Sequence, residues 1–323
     1  MKKLTLAALV IGAFAASAQA QAQSNVTVYG VVDLGIAKAS GKTVEERENH
    51  ASRLGFKGVE DLGGGLSAIF NLESEILADT GAQKGNLFDR QANVGVKGNF
   101  GAVSLGRTKN LVDSAQARVE PFNADGVIGK VNETMMRVGV SASRVSNAIT
   151  YHSPNFSGVV LSAQYVLSEV SGANAGYDLL ATYDNGPVSL HAGYEKKVQT
   201  AASAIKPTMY VLGGAYKFGA AKVTAAYAKG DTKVAGTSDL SKLTGKYDAY
   251  LLGFIYNVGG GDAKAVYGKG KKTVAGLSDI DTVKEFGIGY DHHLSKRTDL
   301  YAYAGRERVS SVTSYQMGIS HKF

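Results

Sequence analysis

Cysteine and tryptophan are absent from this chain, and proline occurs only four times in 323 residues. Without cysteine there is no disulfide framework, no thiolate nucleophile and no thiolate-bound metal. Past the N-terminus no apolar run is long enough to cross a bilayer as a helix, and mean hydropathy is near neutral at -0.07. A wall of tilted strands escapes that criterion, because only alternate residues face lipid. Strong basicity is missing too: the formal net charge is +7, or +5 once Lys2 and Lys3 are removed with a leader. That balance is far from a nucleic-acid binder's, and no nucleic-acid partner is expected. The six histidines, at 50, 152, 191, 292, 293 and 321, show no zinc spacing. No nucleophile–base pair stands out. Gly268-Lys-Gly-Lys-Lys-Thr273 has the composition of a phosphate-binding loop without its spacing or following helix, and it reads as a basic, exposed loop. No enzyme activity, metal or cofactor is therefore expected.

What the chain does have is 40 glycines, 17 tyrosines and 11 phenylalanines. Glycine-rich, tyrosine-rich and proline-poor composition suits many strands joined by tight turns. The N-terminus carries an export leader: Met1-Lys2-Lys3 is a positive start, Leu4 to Ala16 an apolar core, and Ala18-Gln-Ala-Gln-Ala22 supplies small-residue cleavage sites. Cleavage is expected after Ala22, with Ala20 the competing site. The apolar core is too short to span a membrane. This divides the chain into a signal peptide, 1–22, and a single mature domain, 23–323.

The last residues, Val312 to Phe323, alternate strictly. Thr313, Tyr315, Met317, Ile319 and His321 share one face, and Ser314, Gln316, Gly318, Ser320 and Lys322 the other. That is a strand, about ten residues long, as a tilted membrane-crossing strand needs to be. Its apolar face ends on the aromatic Phe323, where an interfacial girdle residue belongs. Val26, Val28, Val32, Leu34 and Ile36 likewise oppose Thr27, Tyr29 and Asp33, and Leu54 and Phe56 oppose Arg53 and Lys57. Leu300 to Arg306 does not divide cleanly, because Tyr301 and Tyr303 compete with Leu300 and Ala302.

Seven short turns recur, at Asp61–Gly65, Asn99–Gly101, Pro154–Gly158, Asp184–Pro187, Phe218–Ala221, Gly259–Asp262 and Asp291–Thr298. Glycine, asparagine and aspartate tolerate the positive φ that tight hairpins require. Between them lie eight longer polar connections, near 39–51, 76–86, 108–145, 168–176, 198–206, 230–246, 271–281 and 307–311. Fifteen connections join sixteen strands. An even strand number, with short turns at one end and long loops at the other, predicts an all-β, antiparallel transmembrane β-barrel. The polar faces then point into the closed cylinder.

Several stretches resemble the Gram-negative general porins of the beta-proteobacterial type. They are Ser52-Arg-Leu-Gly-Phe-Lys-Gly-Val-Glu-Asp-Leu-Gly-Gly-Gly-Leu66, Asn99-Phe-Gly-Ala-Val-Ser-Leu-Gly-Arg107, Tyr151-His-Ser-Pro-Asn-Phe-Ser-Gly158 and the His-x-Phe end at 321–323. The resemblance spans the mature chain. It implies a sixteen-stranded outer-membrane barrel, a homotrimer, and diffusion of small hydrophilic solutes and ions. The partners it implies are outer-membrane lipid and lipopolysaccharide, and the barrel-insertion machinery, which reads the terminal Phe323.

Connection 108–145 is long enough to be functional, and the resemblance implies that this third loop folds into the lumen as the constriction. Its charges are Lys109, Arg118, Lys130, Arg137 and Arg144 against Asp113, Glu120, Asp125 and Glu133. The resemblance also implies a basic wall facing that loop, at Arg53, Arg90 and Arg144, with Lys57 and Arg107 as further contributors. Alternation back from Val94 and Val96 turns Arg90 outward unless a bulge intervenes. Asp89 beside it weakens the positive field. A modest anion preference is the expectation, carried by fixed guanidinium groups in a water-filled constriction. The rival readings are a barrel serving mainly as surface adhesin or receptor, and an outer-membrane barrel enzyme.

Overall fold

In a computed structural model, the structure describes residues 25–122, 126–128, 143–197, 208–232, 245–274, 276 and 278–323. The strand period seen at both ends of the sequence runs through the whole chain. In β1 (Asn25–Ala39), Val26, Val32 and Ile36 are about half exposed or more while Val31, Asp33 and Ala37 are buried. Successive side chains leave opposite faces of a pleated strand, so the exposed apolar row is the outer face.

The first third of the chain continues with β2 (Val44–Arg47), β3 (Arg53–Gly63), β4 (Leu66–Leu77), β5 (Ala82–Gln83), β6 (Gln91–Gly98) and β7 (Gly101–Lys109). After the helix α1 (Leu111–Ala117) come β8 (Arg144–His152), β9 (Val159–Val166), β10 (Gly176–Asn185), β11 (Val188–Lys196) and β12 (Thr208–Phe218). The rest are β13 (Ala221–Thr232), β14 (Gly245–Val258), β15 (Gly261–Thr273), β16 (Ile280–His293), β17 (Thr298–Glu307) and β18 (Val312–Lys322). All pairings are antiparallel between chain neighbours, and β18 returns to β1 from Val31↔Lys322 to Ala39↔Ser314, which closes the barrel. β2 and β5 are short pieces within connections, so sixteen strands form the wall, as the turn count predicts.

Closure is completed by Phe323. Its backbone and that of Gly30 exchange two hydrogen bonds of 3.1 Å. The ring lies where a side chain on Gly30 would be, since a Cβ there would sit 2.4 Å from Phe323 Cζ.

Three sequence expectations need correction. The connection expected at 39–51 is largely ordered: β2 pairs with β1, and residues 48–52 form a bulge opposite Val32–Leu34. Gly268–Thr273 is not a loop but the end of β15, with Lys272 buried. His292 and His293 close β16 rather than sit in the turn. The ambiguous segment also resolves: Tyr301 and Tyr303 point inward and are buried, and Leu300 faces out.

The described part of the third long connection lies against the inner wall. Asn110 caps α1, its Oδ1 accepting from the Asp113 amide at 2.9 Å. Leu111 and Ala115 pack with Leu180, and Val112 with Met209, Val211 and Ala228. Further on, Val119, Phe122 and Ile128 join Leu251, Val266, Val283, Tyr301 and Tyr303 in one buried cluster. Leu251 is fully buried while its neighbours Tyr250 and Leu252 are exposed, so these partners belong to the inner face. Burying a side chain of this size stabilises by about 1.5–3 kcal/mol, enough for a few such residues to hold a short loop. The inner face of β12–β17 is therefore partly apolar, not uniformly polar as alternation alone suggests.

Candidate functional site

The basic residues expected to line the channel, Arg53, Lys57, Arg90, Arg107 and Arg144, lie on the other side, along β3–β8. Arg53 opens β3, pairs in register with Glu75 of β4, and donates Nη1 to the Ala51 carbonyl at 3.0 Å. Two residues on, Gly55 faces Glu73; two further, Lys57 faces Asn71. The alternation that turns Leu54 and Phe56 outward thus turns Arg53, Lys57, Asn71, Glu73 and Glu75 inward. Lys57 Nζ lies 5.1 Å from the centroid of the Tyr29 ring, a cation–π contact. The Tyr29 hydroxyl donates to Asn71 Oδ1 at 2.8 Å and Glu73 Oε2 at 2.9 Å.

Arg90 is inward, contrary to simple alternation. It precedes β6, in the connection rather than in the strand, so the strand period does not govern it. Its amide bonds the Glu73 carbonyl at 3.1 Å, and its guanidinium reaches both carboxylates, Nε to Glu73 and Nη1 to Glu75, each at 2.6 Å. All three side chains are under a tenth exposed. Lys84 Nζ adds a 2.5 Å contact to Glu75. Glu73 and Glu75 carry no motif; two glutamates two positions apart on a strand, with a basic residue across the ladder, are the one signal available beforehand.

Asp89 does not face the channel as a free charge. Its Oδ1 accepts from the Glu75 amide at 3.0 Å, and its carbonyl accepts from Arg107 Nε at 2.5 Å. Arg107 also donates to Ser146 Oγ at 2.8 Å. A register shift between Gly106 and Thr108 breaks the period there. Arg144 opens β8 opposite Lys109. It lies in the field of Arg90, Glu73, Glu75 and Asp113, and Lys109 in that of Arg144, Arg90 and Arg53. The structure thus brings Arg53, Arg90, Arg144, Lys109 and Asp113 into one neighbourhood.

Glu120 is buried. Arg118, by contrast, leaves the group: its Nη2 bonds both oxygens of Asp184, at 2.5 and 2.6 Å, beside a short turn. Asp125 and Glu133 lie outside the described residues, as do Lys130 and Arg137. Among the described residues no cluster of metal-ligating side chains occurs.

Arranged this way, the wall offers several fixed cations and a buried Glu–Arg–Glu triad whose second carboxylate is balanced by Lys84. It has the chemistry of a wet electrostatic filter.

Known proteins share this architecture. The sequence profile of the Gram-negative porin family matches residues 5–311. Outer membrane porin protein 32 of Delftia acidovorans is 33% identical, with all of both chains covered. An outer membrane porin protein of Bordetella pertussis is 30% identical, again over both full lengths. Among solved structures, an anion-selective porin from Comamonas acidovorans superposes with a TM-score of 0.78 at 29% identity, covering 93% of this chain and 100% of that one. The trimer form of OmpT from Vibrio cholerae superposes at 0.75, covering 93% and 99%, but at 17% identity it speaks for the fold alone. Wall, closure and full-length similarity converge: the chain belongs to the Gram-negative porin family and forms an outer-membrane channel.

Proposed function

We propose that this porin is a general diffusion channel for small hydrophilic solutes and ions, with a modest preference for anions. The observation that carries this reading is the charge pairing of the inner wall. Arg90 is taken up by Glu73 and Glu75. The net positive field then rests on Arg53, Arg144, Lys109, Arg107 and Lys57, with Asp113 of α1 opposing it. Fixed cations in a water-filled passage lower the entry barrier for anions, and salt screens them over about 10 Å at 0.1 M. The anion-selective porin with the similar fold supports the same sign. The third loop narrows the passage between α1 and this wall.

We further read the mature chain as beginning at Gln23 after export, and the assembly as a homotrimer in contact with outer-membrane lipid and lipopolysaccharide. Phe323 serves insertion and closure: its ring and backbone dock on Gly30, at the seam between first and last strands. Deleting Phe323 lowers the yield of heat-modifiable, folded barrel, while channels that do form keep normal conductance.

The selectivity reading is tested with Arg53→Ser/Arg144→Ser. In dilute potassium chloride the reversal potential of the double variant moves towards cation selectivity, and the difference from wild type shrinks as salt rises. A cation-selective wild type, or an unchanged reversal potential in the variant, overturns the assignment.

A further inference from the structure

Below the seat of the third loop the inner wall carries two cations that the constriction does not use. On β12, Val211 and Ala215 are buried while Tyr216 and Phe218 are about half exposed, so Lys217 continues the inward row. On β13, Thr224, Ala226 and Ala228 are buried while Val223 and Tyr227 are exposed, which turns Lys222 inward as well. The two lysines are direct cross-strand partners, next to the Phe218↔Ala221 pair that closes the short turn. Side chains so opposed leave their Cβ atoms about 5 Å apart. Two ammonium groups therefore reach into the same water.

The carboxylates of the flanking strands are engaged elsewhere. Asp184 of β10 holds Arg118 and Ser189, Asp262 of β15 holds Asn257 and His293, and Asp291 of β16 holds Lys264 and Tyr303. Among the described residues neither Lys217 nor Lys222 belongs to an ion pair. Like charges directly opposite destabilise a sheet, a cost that an anion between them relieves. Their level in the channel is also defined. Lys222 is two residues from Thr224, whose cross-strand partner is Gly253, and a Cβ on Gly253 would meet Pro121 of the third loop at 2.6 Å. The lysine pair thus lies about 7 Å along the strand from the loop, on the short-turn side, which is periplasmic in outer-membrane barrels. Arg53 and Arg144, each the first residue of its strand after a long connection, stand towards the opposite end.

We propose that Lys217 and Lys222 form a second anion station at the periplasmic mouth, which takes small anions, dianions best, on the far side of the third loop from Arg53 and Arg144. The station rests on the anion-preference reading above and extends it. The arginine wall sets which ions pass the constriction. The lysine pair raises the local anion concentration just beyond it, and so sets how much current flows in dilute salt. Its reach follows the Debye length, about 10 Å at 0.1 M and about 3 Å at 1 M, so in concentrated salt it no longer spans the distance to the loop.

The chain has no cysteine, so the charge at this site can be set chemically. The test records single channels of Lys217→Gln/Lys222→Cys in lipid bilayers, with folding checked by heat-modifiable migration and thiol modification by mass. In 0.1 M potassium chloride the variant conducts roughly 1.5-fold less than wild type. A cationic methanethiosulfonate reagent restores the current, and an anionic one lowers it further. In 1 M potassium chloride wild type, variant and both adducts conduct alike. Sulfate, added to the dilute chloride, blocks wild type at several-fold lower concentration than the unmodified variant. The variant keeps its anion preference, because Arg53 and Arg144 are intact. A cation-selective wild type counts against the constriction reading instead, and the thiol response still decides the station. A fully modified variant whose conductance in dilute salt follows neither reagent overturns the proposal, as does equal block by sulfate in variant and wild type.

Discussion

The inner wall has two sides of different chemistry on one fold. Along β3–β8 it is charged, with Arg53, Arg90, Arg107, Lys109 and Arg144 set among Glu73 and Glu75. Along β12–β17 it is partly apolar, with Val211, Leu251, Val266 and Val283 set among buried charges such as Lys272, Glu285 and the Lys264–Asp291 pair. Glycines on that second side make room for the loop. A Cβ on Gly253 would meet Pro121 Cγ at 2.6 Å, one on Gly287 would meet Ile128 Cγ2 at 2.2 Å, and one on Gly289 would approach Phe122 at 3.0 Å. Both sides obey the same period of two. The period therefore sets only which way a residue points, while what it meets there decides its polarity. Along β3–β8 the inward residues are mostly charged; where the third loop lies, apolar residues and glycines join paired charges such as Lys264, whose ammonium lies over the Phe122 ring and beside Asp291.

The largest effect should come from unbalancing the charged side. Arg90→Met leaves Glu73 and Glu75 buried without their shared cation, although Tyr29 and Lys84 still reach one oxygen each. Removing one partner of a buried ionic group typically costs about 3–5 kcal/mol. The variant should unfold at lower urea in lipid vesicles. Its reversal potential should also shift towards cations. Adding Glu73→Gln and Glu75→Gln should restore most of the stability, because no uncompensated charge remains. An Arg90→Met channel as stable as wild type would show that the triad is not a desolvated unit.

The charged side also marks the limit of sequence reading. The outward rows of β1 and β18, the seven short turns and the sixteen strands follow from local periodicity and turn chemistry. So does the inward direction of Arg53, fixed by Leu54 and Phe56 in its own strand. Arg90 is different: its direction is set by two glutamates 17 and 15 residues earlier, a register relation that no local pattern encodes. The Tyr301–Tyr303 pair fails for a related reason. Both rings point inward because Phe122 packs edge-on against Tyr303, 5.0 Å between centroids, and because the Tyr301 hydroxyl donates to Asp33 at 2.9 Å. Tyrosines at the membrane edge otherwise face lipid. Asp33 and Phe122 are distant in sequence, so the competing cue wins on paper and loses in the fold.

The apolar side is probed by filling its glycines. Gly287→Leu places a branched side chain where Ile128 now sits, and overpacking of this kind costs about 1–3 kcal/mol. The loop has one inexpensive response, which is to leave its seat. The expected signature is a changed single-channel conductance and noisier open-state current, with the barrel still heat-modifiable. Gly305→Ala, whose Cβ would meet Ile128 Cγ1 at 3.0 Å, should show the same change at smaller amplitude. If Gly287→Leu conducts like wild type, the glycines are not what seats the loop.

The smallest effect is expected at the loop's polar tether. Arg118 bonds both carboxylate oxygens of Asp184 and also Ser189 Oγ at 3.1 Å, and on hydrogen bonding alone it looks like the strongest attachment. Yet its side chain is 38% exposed and that of Asp184 51%, so water competes for every one of these bonds. Exposed ion pairs contribute about 0–1 kcal/mol, less than burial of Phe122 or Ile128 alone. Arg118→Ala should therefore leave conductance, thermal stability and loop position almost unchanged. Any small effect should fade in high salt. A loss in Arg118→Ala comparable to that of Gly287→Leu would reverse the ranking. It would mean that the ion pair, and not the dry seat on β14–β17, holds the third loop against the wall.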